Sequence, residues 1–217
     1  MPGSQDGRDR QGKAPTESRW LWIRGGLLGL LLAATACGTS STAISGGPPT
    51  ATSVANAIKT SSMKNAHFTV QGSLASGANR LAATGDGTIQ IKPTFALQIN
   101  FLIQTSLGTT GLAVIVVDNT EYSRTGTGAW TSQPDPSAAF VTMPNKYIGE
   151  DTLNGIKAWH VQWQGQPGTY DDWVRESDGY LMKVTYTATV GSTYTFTFDS
   201  YNTGTIIVAP ASPTPAS

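Results

Sequence analysis

Tyr180-Leu-Met-Lys-Val-Thr-Tyr-Thr-Ala-Thr-Val-Gly-Ser-Thr-Tyr-Thr-Phe-Thr-Phe-Asp199 alternates with period two almost from end to end. Tyr180, Met182, Val184, Tyr186, Ala188 and Val190 fall on one side, with Lys183, Thr185, Thr187 and Thr189 on the other. After Gly191-Ser192 the pattern resumes as Tyr194, Phe196 and Phe198 against Thr193, Thr195, Thr197 and Asp199. Neighbouring side chains of a strand point to opposite faces, so the stretch predicts a long hairpin with an aromatic face and a threonine face. A slip of one residue would turn every aromatic toward water, which fixes the register.

The same period runs outward from the hairpin. Asp178-Gly179 marks a tight turn that joins Tyr170–Glu176 to it. Phe68, Val70, Gly72 and Leu74 share one face of an earlier strand, and Phe95, Leu97, Ile99, Phe101 and Ile103 share one face of another. Pro93 sets the turn between that second strand and one from about Leu81 to Lys92. Leu112 to Val117 is a continuous apolar run, read as a strand buried on both faces, and Asp118-Asn119 turns it into Thr120–Arg124. Residues Thr52 to Asn65 form the best helix, capped by Thr52 or Ser53, with Val54, Ala57, Ile58 and Met63 near one face. Only Pro134–Asn145 breaks the pattern, as a short helix or a lid. The reading is a mainly β (α+β) fold: an antiparallel sheet of seven to nine strands with few helices. A helix of about 14 residues spans roughly 21 Å and cannot hide the apolar face of so many strands. A second sheet, closure of the sheet on itself, or a cavity must make up the difference.

The ends of the chain read differently. Met1 to Arg24 is polar with a net positive charge, and Gly25 to Ala36 is a short apolar stretch ending in small residues. This is the layout of a secretory signal; twelve residues make about 18 Å of helix, too short for a bilayer core of about 30 Å. The single cysteine, Cys37, follows directly. Ala34-Thr35-Ala36-Cys37 resembles the lipobox of bacterial lipoproteins, with Ala34 where Leu is usual. That resemblance implies that Cys37 is the site of lipid attachment and becomes the mature N-terminus, on the outer side of the bacterial cell membrane. Two acyl chains anchor stably where one is marginal. The expected organisation is a signal peptide over 1–36, a flexible tether over 37–50, one β domain over 51–208, and a Pro-rich disordered tail over 209–217.

Composition narrows the function. Of 217 residues only 13% are charged, with 14 Lys+Arg against 14 Asp+Glu, so the chain lacks the basic surplus of a nucleic-acid binder. Without the leader, nine basic and eleven acidic residues remain, and the lipid rather than charge does the anchoring. One Cys and two His are too few for a Cys- or His-rich metal centre. His160 alternates with Gln162 and Gln164 on a polar face, and no carboxylate stands near His67 in the chain. No Gly-x-Ser-x-Gly elbow occurs, and Gly85-Asp-Gly87 and Gly126-Thr-Gly128 read as turns. Asp171-Asp172 reads as a solvated pair. The chain is not expected to be an enzyme, and no cofactor or metal is implied.

Leu153–Trp163, which contains Gly155-Ile-Lys-Ala-Trp-His160, and Asp172–Val184, which contains Trp173-Val174, Gly179 and Leu181, carry a recognisable signature. They resemble the LppX/LprG-like bacterial lipoproteins of the LolA/LolB superfamily. Ile115–Ser123 followed by Trp130 is similar to the short strand pair of that family. The resemblance implies an incomplete, curved β-barrel with the N-terminal helix on its concave face. It also implies that the concavity holds a lipid or the acyl chains of a lipoprotein.

The ligand-binding candidates are therefore Phe95, Leu97, Ile99, Phe101, Met182, Val184, Tyr186, Tyr194, Phe196 and Phe198. A cavity wall and a closed core share one sequence pattern, so two readings stand. The chain either binds or carries a hydrophobic ligand, or it is a ligand-free envelope sensor or protein-interaction module on the same fold.

Overall fold

The computed structural model describes residues 48–76, 79–135, 143–165, 168–204 and 206–215. Cys37, the leader and most of the tether lie outside them. Helix α1 (Ala51–Thr60) precedes strands β1 (Asn65–Ser76), β2 (Asn79–Gln90), β3 (Ala96–Thr105), β4 (Gly108–Val117), β5 (Thr120–Thr125) and β6 (Thr131–Pro134). Then come β7 (Met143–Leu153), β8 (Ile156–Gly165), β9 (Gly168–Arg175), β10 (Leu181–Ala188), β11 (Thr193–Asp199) and β12 (Thr214–Pro215). All twelve form one sheet in the order β12-β6-β5-β4-β3-β2-β1-β11-β10-β9-β8-β7. The pairs are antiparallel except β12 with β6.

That order forces curvature. β6 and β7 are ten interstrand spacings apart, about 48 Å if the sheet were flat. The chain passes from Asp135 to Met143 in eight residue steps, a reach of at most about 29 Å. The sheet must therefore curl into an incomplete barrel. Glycines on its inner face let it do so. A Cβ on Gly87 would lie 2.5 Å from Phe68 Cζ, and one on Gly72 would lie 2.8 Å from Tyr194 Cδ1. Each would also collide with a carbonyl of the neighbouring strand, Gln98 and Thr193 respectively. Large side chains fold over these bare positions, bringing strands closer on the inside than on the outside.

The core fills the concave side. Phe68, Val70, Ile99, Phe101, Val184, Tyr186, Tyr194 and Phe196 belong to one buried cluster spread over β1, β3, β10 and β11. Helix α1 packs against β7 and β8, and Val54 is fully buried while Ala51, Ala55 and Ile58 lean on the same cluster. Its cap is Thr50, one turn earlier than Ser53: Thr50 Oγ1 accepts from the Ser53 N–H at 3.1 Å and Ser53 Oγ accepts from the Thr50 N–H at 2.8 Å. This reciprocal box satisfies two helix-end donors. The helix stops at Thr60 rather than Asn65, because Ser61 leaves the helical backbone at ψ 159°, and β1 begins at Asn65. At this end the β9–β10 turn is pinned by a two-pronged pair, Arg175 Nε and Nη2 each 2.8 Å from Asp178. Gly179 there has φ +75° and lies against the Ala57 carbonyl, a place no side chain fits.

The structure adds strands that alternation did not reveal. β6 and β12 are too short to show a period, and β7 begins at Met143, inside the region read as a lid or short helix. Residues 136–142 of that region lie outside the description. Of the tail expected to be disordered from residue 209, Thr214–Pro215 pairs with β6 at the sheet edge, and Ile207, just before that tail, covers part of the outer face. Ile207 packs with Ala96, Ile115 and Val117 in a second buried cluster, joined by Tyr122 and Trp130. The Ile207 N–H donates to Gln90 Oε1 at 3.3 Å and the Thr214 N–H to the Trp130 carbonyl at 2.9 Å. β4 is thereby buried on both faces, Leu112, Val114 and Val116 inward and Ile115 and Val117 outward.

Candidate functional site on the inner face

Strand pairing lays the inner side chains out in rows across the sheet. One row runs Trp163, Tyr170, Tyr186, Tyr194 from β8 to β11, and ends on Gly72 of β1. The next runs Val161, Asp172, Val184, Phe196, Val70, and ends on Gly85 of β2. A third places Phe198, Phe68, Gly87 and Ile99 side by side. The rings are in contact: Tyr170–Tyr186 at 4.6 Å, Phe68–Phe196 and Phe68–Phe198 each at 5.6 Å between centroids. The Phe101 and Tyr194 rings meet edge-on at 6.2 Å although three interstrand steps separate β3 from β11. Gly72 and Gly85 clear the space between them.

Of the residues singled out from the sequence, Leu97, Ile99, Phe101, Val184, Tyr186, Tyr194, Phe196 and Phe198 all lie in this buried cluster, with Phe95 partly buried against it. Met182 is placed differently. The β9–β10 register shifts between Leu181 and Lys183, leaving Met182 as the extra residue of a bulge, half-buried. Leu181 occupies the core position instead. Strict alternation cannot anticipate a bulge.

The sequence reading missed the polar members of the inner face. Asp171 and Asp172 are adjacent on a strand, so they point opposite ways. Asp171 faces outward and accepts from Gln162 Nε2 at 3.1 Å, with His160 Nε2 at 3.0 Å. Asp172 faces inward and is 6% exposed. The alternation of Tyr170, Asp172 and Val174 carried the signal. Burial raises the Asp172 carboxyl well above the ordinary carboxylate range, with the Asp171 charge adding to it. The nearby Trp163 indole offsets part of this. Even so, Asp172 Oδ1, Trp163 Nε1 and Tyr186 Oη are buried without a hydrogen-bond partner among the described residues. Burial also pushes the Tyr186 and Tyr194 hydroxyls up to about 12, so both stay protonated donors at neutral pH.

Both histidines have carboxylate neighbours that chain distance concealed. His67 faces Asp199 across the β1–β11 pair at 2.8 Å, both substantially exposed. His160 sits between Asp171 and Asp151, at 3.0 and 3.6 Å, and stacks on Trp173 at 4.2 Å. Lys183 covers the other ring face at 4.0 Å, and Trp173 Nε1 donates to Asp151 at 2.7 Å. This outer assembly ties β7, β8, β9 and β10 together.

Comparison with known proteins gives distant likenesses. No family model matches the chain, and no curated protein matches it. Among solved structures it is similar to LprF from Mycobacterium bovis, with 12% identity over 69% of this chain and 90% of that one, at a TM-score of 0.39. It is similar also to a LolA superfamily protein from Nitrosomonas europaea, with 7% identity over 74% and 96% and a TM-score of 0.33. Pseudomonas aeruginosa MucB, solved in complex with MucA, shares 17% identity over 75% of this chain and 59% of that one, at a TM-score of 0.37.

Proposed function

We propose that this protein is a lipid-anchored component of the bacterial cell envelope that binds a hydrophobic, acyl-chain ligand on the concave face of its half-barrel. The observation that carries the reading is a continuous apolar and aromatic inner face from β4 to β8 that closes mainly on its own side chains, since the one helix among the described residues has ten residues, about 15 Å, and packs at the β7–β8 end. Lipid sites are typically concave and mostly apolar with a few polar groups, and this face has that composition. Anchoring through Cys37 and an extracytoplasmic location belong to the same proposal and rest on the lipobox-like segment.

The ligand-free interaction module is the second reading. It is favoured by the contact of Phe101 with Tyr194, which brings two slopes of the curled sheet together without any ligand.

Native mass spectrometry of the full chain, as purified from membranes and after delipidation and refolding, separates the two. An acyl-lipid adduct on the native sample alone supports ligand carriage. Bare protein in both samples supports the interaction module. Cys37→Ser is expected to move the protein from the membrane to the soluble fraction, and its retention in the membrane would overturn the anchor.

A further inference from the structure

Three polar groups on the inner wall are buried almost completely and make no well-formed hydrogen bond among the described residues, the Trp163 indole and the Asp172 carboxyl having only each other close by. Trp163 is 5% exposed, Asp172 6% and Tyr186 1%. They surround one residue. Tyr170 is the register partner of Trp163 on one side and of Tyr186 on the other, and Asp172 is two positions along the same face of β9. Leaving a buried hydrogen-bonding group unmatched costs about 1–3 kcal/mol each, and three such groups clustered in one wall call for a common explanation.

We propose that Trp163, Asp172 and Tyr186 form a hydrogen-bonding subsite that receives the uncharged, oxygen-bearing head of an acyl lipid, a glycerol ester or hydroxyl, while its chains lie on the apolar rows beside it. The inference rests on the ligand-binding reading above. The chemistry of the group selects the head. Trp163 Nε1 can only donate, and Tyr186 Oη is a protonated hydroxyl that donates or accepts. Asp172 is held toward its neutral acid form, which also donates through one oxygen and accepts through the other. Ester carbonyls and alcohol oxygens complement such a mixed set. An anionic head is disfavoured on two counts: it would be desolvated in an apolar wall, and it would meet Asp172, whose carboxyl no cation among the described residues offsets. The adjacent carboxylate, Asp171, points to the opposite face, engaged with His160 and Gln162.

The test titrates the full chain with monooleoylglycerol, oleate and oleylamine by native mass spectrometry, in wild type and in Trp163→Phe, Tyr186→Phe, Asp172→Asn and Asp172→Leu. Tyr186→Phe removes only the hydroxyl and keeps the ring; Trp163→Phe removes the indole N–H together with one ring, so its fold is checked by circular dichroism and urea denaturation before binding is compared. Loss of one hydrogen bond is expected to weaken monooleoylglycerol binding about 5- to 10-fold in each. Asp172→Asn keeps a donor and an acceptor and is expected to bind as wild type, whereas Asp172→Leu is expected to lose affinity. Monooleoylglycerol is expected to bind more tightly than oleate. Wild-type binding of all three probes with no change in the Phe variants would overturn the subsite and leave acyl binding standing. Tighter binding of oleylamine, lost in Asp172→Asn, would replace the neutral head with a cation. Failure of wild type to bind any of the three would remove both the subsite and the ligand reading.

Discussion

The ring of Phe68 on β1 lies over Gly87, its register partner on β2, with no room for a Cβ between them. The same relationship recurs between Tyr194 and Gly72. These pairs let the sheet bend on its inner side across β11, β1 and β2, where the register is unbroken. Gly87→Ala is expected to destabilise the fold by at least about 2 kcal/mol, because the new methyl meets the Phe68 ring and the Gln98 carbonyl. Urea denaturation checks this. Adding Phe68→Leu removes the ring but not the carbonyl, so the pair is expected to recover only part of the loss.

Asp172 predicts a pH effect whose sign is fixed by its environment. Its native-state pKa is raised, while in the unfolded chain it is about 3.9. As pH rises through the interval between the two, the unfolded state releases a proton that the folded state keeps. Stability therefore falls across that interval, and the penalty is absent below the unfolded value. Asp172→Asn removes this contribution. Its stability relative to wild type is expected to climb with pH by up to about 1.4 kcal/mol per unit within the window. Urea midpoints at pH 3.5 and 7 give the comparison, and a constant difference between the two proteins would contradict it.

Ile207 joins the C-terminal stretch to the outer sheet. It is buried against Ala96, Ile115 and Val117 and its N–H is held by Gln90. Ile207→Ala is expected to cost about 2 kcal/mol, the low end for such a truncation because a terminal segment can shift. The change should also release the stretch to limited proteolysis. Unaltered protection from protease would show that the segment is held by other contacts.

Thr50 closes the reciprocal cap of the helix. Thr50→Ala is expected to cost about 1 kcal/mol, and Thr50→Ser to be close to neutral. Thermal melts of the two variants distinguish loss of the hydroxyl from loss of the methyl.

Alternation made most of the strands legible, because the direction of successive side chains is a property of the extended backbone itself. It assigned Phe101, Val184, Tyr194 and Phe196 to one face without any knowledge of their neighbours. It failed at Met182, where a bulge resets the count, and at β6 and β12, where a few residues are too short to define a period. His67 and Asp199 stand 132 positions apart, and only strand pairing makes them neighbours.

The two aspartates mark the boundary. Chain order alone required Asp171 and Asp172 to face opposite sides once they lay in a strand. Which of them would be enclosed depended on how β8 and β10 flank β9 and on the curl that the inner glycines permit. Local backbone geometry is written residue by residue, whereas burial is a property of surfaces brought together from distant parts of the chain. The sequence by itself therefore determined the strands and their faces. The closing of the sheet, and with it an acid sealed into an apolar wall, was decided by tertiary packing.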